Sequence, residues 1–266
     1  MGTPAAQLPA EGSKRCIRMT ESQNPAATQS TRELLILTAE RLFAEHGIDA
    51  VSLRQINTEA GQRNLSATHY HFGSKEALIG IIYDFRMARV NRRRTELLAR
   101  IETEDRQGDV HALVECVVAP IVEEVTSDAS GAHYIRFLAQ VIGHPQLRLD
   151  KLWTSQHAGG LARIVGHLRS ALPRLPAEIS SLRIGLMWEQ IIHALADQDL
   201  LRENAGQASQ ALFVSNLIDV VASGLLAPVG MATATELKRV RKFSGKNAIT
   251  AARRKRLRLT PNTRRR

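Results

Sequence analysis

The most constraining feature of this sequence is residues 52 to 78, SLRQINTEAGQRNLSATHYHFGSKEAL, which predict two short helices separated by a tight turn. Ser52 and Gln55 have the three-residue spacing of a capping box, in which each side chain accepts a hydrogen bond from the backbone of the other residue. Val51 and Ile56 flank Ser52 at the spacing of a hydrophobic staple, which fixes the path of the chain into a helix. These patterns predict that the first short helix begins at Ser52.

The turn and the second short helix are predicted from residues that favour helix ends. Gly61 ends the first helix, because glycine adopts the left-handed conformation at the lowest cost. Asn64 or Ser66 can cap a second helix that runs to about His71, and Ser74 can cap a third. A short helix, a turn and a second helix with exposed polar side chains form an arrangement that fits the major groove of duplex DNA.

A longer helix is predicted just before this stretch, from Ser30 to His46. Ser30 and Glu33 repeat the capping-box spacing, and Gly47 is placed to end the helix. Its apolar residues recur at three and four positions and predict a buried stripe formed by Leu35, Ala39, Leu42 and Phe43.

The run TRELLILTAERLFAEHGIDAVSLRQINTEAG, followed by HYHFGSKEALI, resembles the DNA-binding domain of the TetR family of transcriptional regulators. The resemblance covers residues 31 to about 80, and its elements match in order: LFAEHG, a small residue before LRQI, the AG turn, an aromatic–histidine–Phe ending and SKEAL. Between the AG turn and Phe72 the chain has one residue more than the family's commonest spacing, and the extra residue falls in QRN. The resemblance implies an all-α protein, with an N-terminal three-helix helix-turn-helix DNA-binding domain and a C-terminal helical domain that binds a ligand and dimerises.

The candidate DNA-binding residues fall into two groups. Hydrogen-bonding side chains on or before the second short helix are expected near base edges, and they are Arg54, Asn64, Ser66 and His69. Phosphate contacts are expected from Ser52, Tyr70, His71 and Lys75, and the Tyr-His and Lys positions match the family's backbone contacts. The alternatives are local packing for Tyr70 and His71, and a free surface side chain for Lys75.

The rest of the chain predicts a helical body over residues 77 to 228, after a DNA-binding domain over 30 to 76. A helix from Ser74 to about Ile101 carries six arginines, interpreted as a solvated face or alternatively as phosphate contacts: Arg86, Arg89, Arg92, Arg93, Arg94 and Arg100. Further helical segments are predicted at about 109–126, 132–143, 150–171, 177–203 and 207–226. In the TetR resemblance the last two helices pair with their copies in a homodimer, and their apolar composition agrees with that role.

The same resemblance implies a small-molecule effector bound among the helices of the body. An apolar effector is the default expectation for such a site. Aromatic and polarisable side chains in this region are candidate pocket residues, with core packing as the alternative for each: Tyr134, Phe137, Trp153, Met187, Trp188 and His193.

The net charge of +10 belongs to the C-terminus and does not by itself indicate specific DNA binding. Residues 236 to 266 hold thirteen of the 36 Lys and Arg residues and one of the 26 acidic residues, so the remaining 235 residues carry a net charge of −2. Residues 229 to 266 are therefore interpreted as a basic disordered tail, with non-specific phosphate contact as the alternative. Residues 1 to 29 lack periodicity and are interpreted as a disordered arm.

Patterns typical of other functions are weak in this sequence. Glu189, His193 and Asp197 share a helix face, but carboxylate-bridged bundles repeat Glu-x-x-His, so neither a metal nor another cofactor is predicted. No phosphate-binding glycine loop or nucleophile elbow occurs, and an enzyme is not predicted. Two cysteines, Cys16 and Cys116, indicate a cytoplasmic protein without a disulfide framework, and no apolar run predicts a membrane span. Cys116 is expected to be a core residue rather than a redox sensor.

The sequence therefore predicts a bacterial transcriptional regulator that binds operator DNA as a homodimer. The expected activity is repression that a small-molecule effector relieves. An activator of the same fold is one alternative, and a helical ligand-binding protein without DNA function is another.

Overall fold

A computed structural model describes residues 25–62, 64, 66–128, 130–144, 147 and 159–242. Every regular element in this part of the chain is a helix, which confirms the predicted all-α class. The helices are α1 (Pro25–His46), α2 (Leu53–Glu59), α3 (Ala67–Phe72), α4 (Lys75–Thr103), α5 (Val110–Thr126), α6 (Gly131–Ile142), α7 (Gly159–Ala171), α8 (Ala177–Ala196), α9 (Gln198–Asn204), α10 (Gln210–Leu226) and α11 (Met231–Lys242).

The predicted helix starts around the short helices are confirmed. The Ser52 hydroxyl accepts a hydrogen bond from the Gln55 N–H at 3.2 Å, and the Gln55 side chain accepts one from the Ser52 N–H at 2.8 Å. The Ser74 hydroxyl accepts a hydrogen bond from the Ala77 N–H at 3.1 Å and caps α4. These bonds satisfy backbone donors that a helix cannot satisfy internally. Gly61 has φ +64° just after α2, in the conformation expected for a residue that ends a helix.

The head, formed by α1, α2 and α3, shares one hydrophobic core with the body. Within the head, α1 packs against α2. It also packs against α4, which follows the head, and against α6 of the body. The predicted stripe on α1 is buried, including Leu35, Ala39 and Phe43. α4 is 29 residues long and runs from the head to α5 and α7, so it is the element that physically connects the two regions.

The structure differs from the prediction at the end of the predicted arm and at the start of the predicted tail. Helix α1 begins at Pro25, five residues inside the predicted arm, because proline is tolerated in the first turn of a helix. Helix α11 occupies residues 231 to 242 of the predicted disordered tail. Two hydrogen bonds from the Arg241 guanidinium to the Glu178 carboxylate, at 2.9 and 2.7 Å, hold this helix against α8. The rest of the predicted arm and tail, residues 1–24 and 243–266, lies outside the described residues.

The prediction of a single helix over 177 to 203 is also corrected, since α8 and α9 are separated at Asp197.

Arg183 in α8 donates hydrogen bonds to the carbonyls of Leu225, Ala227 and Pro228 at 2.9, 2.5 and 3.2 Å. A cation at this position satisfies free carbonyls and stabilises the negative end of α10.

Among the described residues, no single helix is both long and apolar enough to cross a membrane. Only α10 and α11 taken together reach that length and composition, and they are bent by 53°.

The burial of two of the six arginines of α4 contradicts both interpretations made from the sequence, a solvated face and phosphate contacts. Arg86 and Arg94 are 1% and 2% exposed, so they contact neither solvent nor DNA phosphates. They occupy the same stripe as Ile82, Val90 and Leu98, which faces the core. Arg92 and Arg100 are exposed, and Arg93 donates to the exposed Glu123.

The buried Arg86 joins the head to the body through charge-assisted hydrogen bonds. Its guanidinium donates to both oxygens of Glu40 in α1, at 2.8 and 2.6 Å. It also donates to Glu124 in α5 at 3.0 Å and to the Ser130 hydroxyl at 2.6 Å. Arg89 donates to the same Glu124 carboxylate at 2.8 Å, so hydrogen bonds join two cations and two carboxylates, and the exposed Asp128 carboxylate lies 3.8 Å from Arg86. We call this group the Arg86 cluster.

Candidate DNA-binding interface and ligand cavity

A buried polar contact fixes α3 onto α2. The Asn57 side-chain oxygen accepts hydrogen bonds from the Thr68 N–H at 2.9 Å and from the Thr68 hydroxyl at 2.6 Å. Asn57 is 1% exposed and Thr68 is not exposed, so water does not compete for these bonds. Because Thr68 is in the first turn of α3, Asn57 takes the role that a capping residue usually fills.

This contact corrects the predicted cap of the second short helix. Ser66 occupies the position before α3, but its side chain makes no capping hydrogen bond. The Asn64 side-chain oxygen accepts a hydrogen bond from the Ser66 N–H at 2.9 Å and shapes the turn that leads into α3. Asn57 and Thr68 were not predicted from the sequence, since a capping acceptor eleven residues away follows no local pattern.

The residues predicted to contact bases are solvent-exposed on α2, on α3 and in the turn between them. Arg54, Asn64, Ser66 and His69 are all exposed. The opposite side of α3 is buried through Ala67, Thr68 and Phe72. The short helix therefore presents a polar, non-acidic surface on a rigid apolar support.

The predicted phosphate-binding residues differ in how free their side chains are. Tyr70 is 70% exposed, whereas His71 is half-buried with its ring 5.2 Å from the Tyr70 ring. The Ser52 hydroxyl and N–H both take part in the capping box of α2. Lys75 is half-buried, with its ammonium 3.4 Å from the Asp49 carbonyl.

An apolar cavity of about 140 Å³ lies among α4, α5, α6, α7 and α8. Most of its wall is aliphatic or thioether and is formed by Met87, Ile121, Leu138, Ile142, Leu161 and Ile192. Tyr83, Arg94, Gly185, Trp188 and Glu189 complete the lining. Arg94 contributes the only positively charged side chain among these lining residues.

The structure brings one of the six predicted pocket residues, Trp188, to the wall of this cavity. Tyr134, Phe137 and Met187 are 0%, 0% and 2% exposed and pack in the core, the alternative considered for them. They lie on buried stripes of α6 and α8, where apolar periodicity does not distinguish a cavity wall from packed interior. His193 borders a separate, more polar depression together with Arg136, His144 and Asp197. Trp153 lies outside the described residues.

The structure also shows the surroundings of Cys116 and of the pair formed by Glu189 and His193. Cys116 is 2% exposed, and burial raises the pKa of its thiol to about 11, so the predicted core role is confirmed. The His193 ring lies 3.4 Å from the half-exposed Glu189 carboxylate one helical turn away, as expected for a surface pair on one helix face.

Large apolar side chains remain exposed on the last helices of the body. Leu182 and Leu186 on α8 are 64% and 65% exposed, and Leu212 and Val220 on α10 are 61% and 47% exposed. α8 and α10 pack against each other. We call these four residues the α8–α10 surface.

Comparisons with known proteins agree with this architecture. Residues 35–80 match the family described as bacterial regulatory proteins, tetR family, and residues 115–224 match the tetracyclin repressor-like C-terminal domain. No curated protein has a significant sequence match to the chain.

Solved structures of TetR family regulators share the fold. One from Marinobacter aquaeolei VT8 is 13% identical with a TM-score of 0.51, and the match covers 75% of this chain and 97% of that one. A second, described as a putative regulator from Shewanella sp. PV-4, is 18% identical with a TM-score of 0.52, over 73% of this chain and 96% of that one. The two family matches together span more than half of the sequence, and the chain belongs to the TetR family of transcription regulators.

Proposed function

We propose that this protein is a sequence-specific repressor that binds operator DNA as a homodimer and is released by a small-molecule effector. The observation that carries the proposal is the exposed polar surface of α2 and α3, with Arg54 on α2 and His69 on α3, which Asn57 fixes to α2. Arginine and other hydrogen-bond donors of this kind recognise base edges in the major groove. Asn64 and Ser66 extend the same surface, and Tyr70, His71 and Lys75 border it as candidate phosphate contacts.

The α8–α10 surface supports dimerisation. Large apolar side chains exposed to water on neighbouring turns of a helix are energetically unfavourable, and they typically mark an interaction site. A symmetric pair of α8 and α10 helices would bury Leu182, Leu186, Leu212 and Val220 and carry two heads. Two heads related by a twofold axis read half-sites of a pseudo-palindrome in successive major grooves.

Release by an effector requires that the cavity and the head share a structural element. Helix α4 supplies this element, because Tyr83, Met87 and Arg94 line the cavity while Leu78 and Ile79 belong to the core beside the head. Arg86 lies between the cavity residues Tyr83 and Met87 on α4, and it contacts Glu40 of α1. A ligand that favours one position of α4 changes DNA affinity by its differential binding free energy, typically about 1–3 kcal/mol.

Footprinting of the purified protein on DNA upstream of its own coding region tests the proposal. We expect protection of two half-sites whose centres are about 10 base pairs, or a multiple of that, apart. Arg54→Ala combined with His69→Ala should abolish the footprint, whereas Arg100→Ala, an exposed arginine at the far end of α4, should leave it unchanged. Equal binding of random and upstream DNA by the unaltered protein would contradict sequence-specific recognition.

A further inference from the structure

Arg94 is a buried cation at the wall of the cavity, and no side chain of the described residues pairs with it. It is 2% exposed, and its Nε has no hydrogen-bond acceptor within that part of the chain. Among the described residues, no carboxylate forms an ion pair with it. Burial lowers the pKa of the guanidinium, and the groups that oppose this effect are Tyr83, Tyr134 and Cys116, none of which is a carboxylate.

Arg86 shows how this chain compensates a buried arginine elsewhere. It lies on the same helix, eight residues before Arg94, and two carboxylates bind it directly. An isolated charge in an apolar interior is strongly unfavourable, so a buried arginine is normally paired. The Arg94 side chain instead borders an apolar cavity large enough to admit a ligand. The missing negative charge can therefore be supplied from outside the chain.

We propose that this cavity binds an organic carboxylate with a compact apolar body, its carboxylate held by Arg94. The guanidinium presents a planar pair of N–H donors, a geometry that matches two carboxylate oxygens. The body of the ligand contacts Met87, Leu138 and Ile192. A cavity of about 140 Å³ is close to the roughly 150 Å³ apolar cavity known to accept benzene, which sets the scale of that body.

Hydroxyl groups near the guanidinium favour the same ligand. The charge of Arg94 acts on the pKa of both Tyr83 and Tyr134, which burial raises, so both phenols lie in its field. Tyr83 lines the cavity, and the Tyr134 hydroxyl is fully buried without a hydrogen-bond partner among the described residues. A carboxylate beside Arg94 has an oxygen left to accept from the Tyr83 hydroxyl.

The charge balance favours a monoanion over a phosphate. Arg94 is the single cation of the lining, so a dianion would leave one negative charge uncompensated in an apolar site. Glu189 also lines the cavity, half-exposed and 3.4 Å from His193. Its carboxylate adds negative charge on the solvent side and further disfavours a dianion.

Calorimetric titration of the full-length protein tests the site without using DNA. The probes are benzoate, hexanoate and octanoate, each compared with its neutral amide. We expect at least one acid to bind about 30-fold or more tightly than its amide, because losing one partner of a buried charge pair is costly. If no acid exceeds its amide in affinity, the proposal is wrong.

Substitution of the arginine separates a binding role from a structural one. Arg94→Met should reduce the affinity for the acid to that for the amide, and Arg94→Lys should retain part of the preference. The ligand-free Arg94→Met protein should melt at the same temperature as the parent or higher, because it loses an unpaired buried charge. Arg100→Met, on the exposed end of α4, is the matched control and should bind as the parent does. Retention of full acid affinity by Arg94→Met would overturn the assignment.

The regulatory meaning of the site rests on the proposed repressor function, and a second measurement keeps the two apart. The acid that binds best is added to the protein on its footprinted DNA. Binding of the acid without release of DNA contradicts the proposed effector mechanism and leaves the carboxylate site intact. Specific DNA binding without any preference for acids contradicts the carboxylate site and leaves the repressor assignment intact.

Discussion

Arg86→Met is expected to be strongly destabilising because it removes the central cation of the Arg86 cluster. The side chains of Arg86, Glu40 and Glu124 are 1%, 1% and 3% exposed, so solvent cannot replace the lost hydrogen bonds. Burial already raises the pKa of Glu40 despite the two bonds from Arg86, which shows how poorly its site tolerates negative charge. Breaking a buried ion pair by removing one partner typically costs about 3–5 kcal/mol.

The assay is thermal and urea unfolding followed by circular dichroism at one fixed protein concentration, since a dimer's melting temperature depends on concentration. In a domain of this size each kcal/mol lowers the melting temperature by roughly 2–4 °C, so we expect a decrease of about 6–20 °C. Arg93→Met is the matched control on the same helix. Arg93 is 39% exposed and its partner Glu123 is 50% exposed, so solvent screens this pair and the expected loss is much smaller than for Arg86.

A charge-balanced variant distinguishes an unpaired charge from lost packing. Replacing Glu40 by Leu together with Arg86→Met removes one buried carboxylate and its cation at once, and Glu124 keeps its pair with Arg89. Replacement of a complete buried ion pair by apolar residues is often neutral or stabilising, so most of the lost stability should return. The reasoning is refuted if Arg86→Met alone changes stability by less than about 1 kcal/mol, the range of an exposed pair.

Three further predictions address the head, the α8–α10 surface and the last helix. Asn57→Ala should lower the free energy of unfolding by about 1–3 kcal/mol, because it leaves buried donors of Thr68 unsatisfied. It should also weaken operator binding more than the neighbouring Thr58→Ala does, and fluorescence anisotropy with labelled operator measures the difference. Leu186→Glu should shift the protein towards monomer in sedimentation velocity and weaken DNA binding in parallel, and an unchanged dimer would contradict the proposed interface. The hydrogen bonds from Arg241 hold the pKa of Glu178 at about 2, below its ordinary 4.5, so this contribution to the attachment of α11 is present above pH 4.5 and is lost as the pH falls towards 2. Limited proteolysis should accordingly cleave α11 faster in Glu178→Gln at pH 7 and equally fast in both proteins near pH 2, with an acid-active protease such as pepsin used there.

Local sequence patterns determined the helical class and most helix ends of this protein. The capping residues Ser52 and Ser74 act on backbone groups three positions away, so their effect is visible in the sequence itself. The exposed polar residues of α3 were predictable for the same reason, because a short helix with one apolar side must present the other. Family resemblance then connected that surface to DNA.

Only the tertiary structure decided the roles of the buried polar residues. Arg86 and Arg94 both interrupt the apolar stripe of α4, and each has an aliphatic residue four positions before it and four positions after it. Arg86 donates a hydrogen bond to Glu40, 46 residues earlier in the chain, whereas Arg94 lines a cavity. Asn57 likewise depends on a partner in another helix. Electrostatic energy depends on distance in space and on local burial, and neither quantity follows from spacing along a helix.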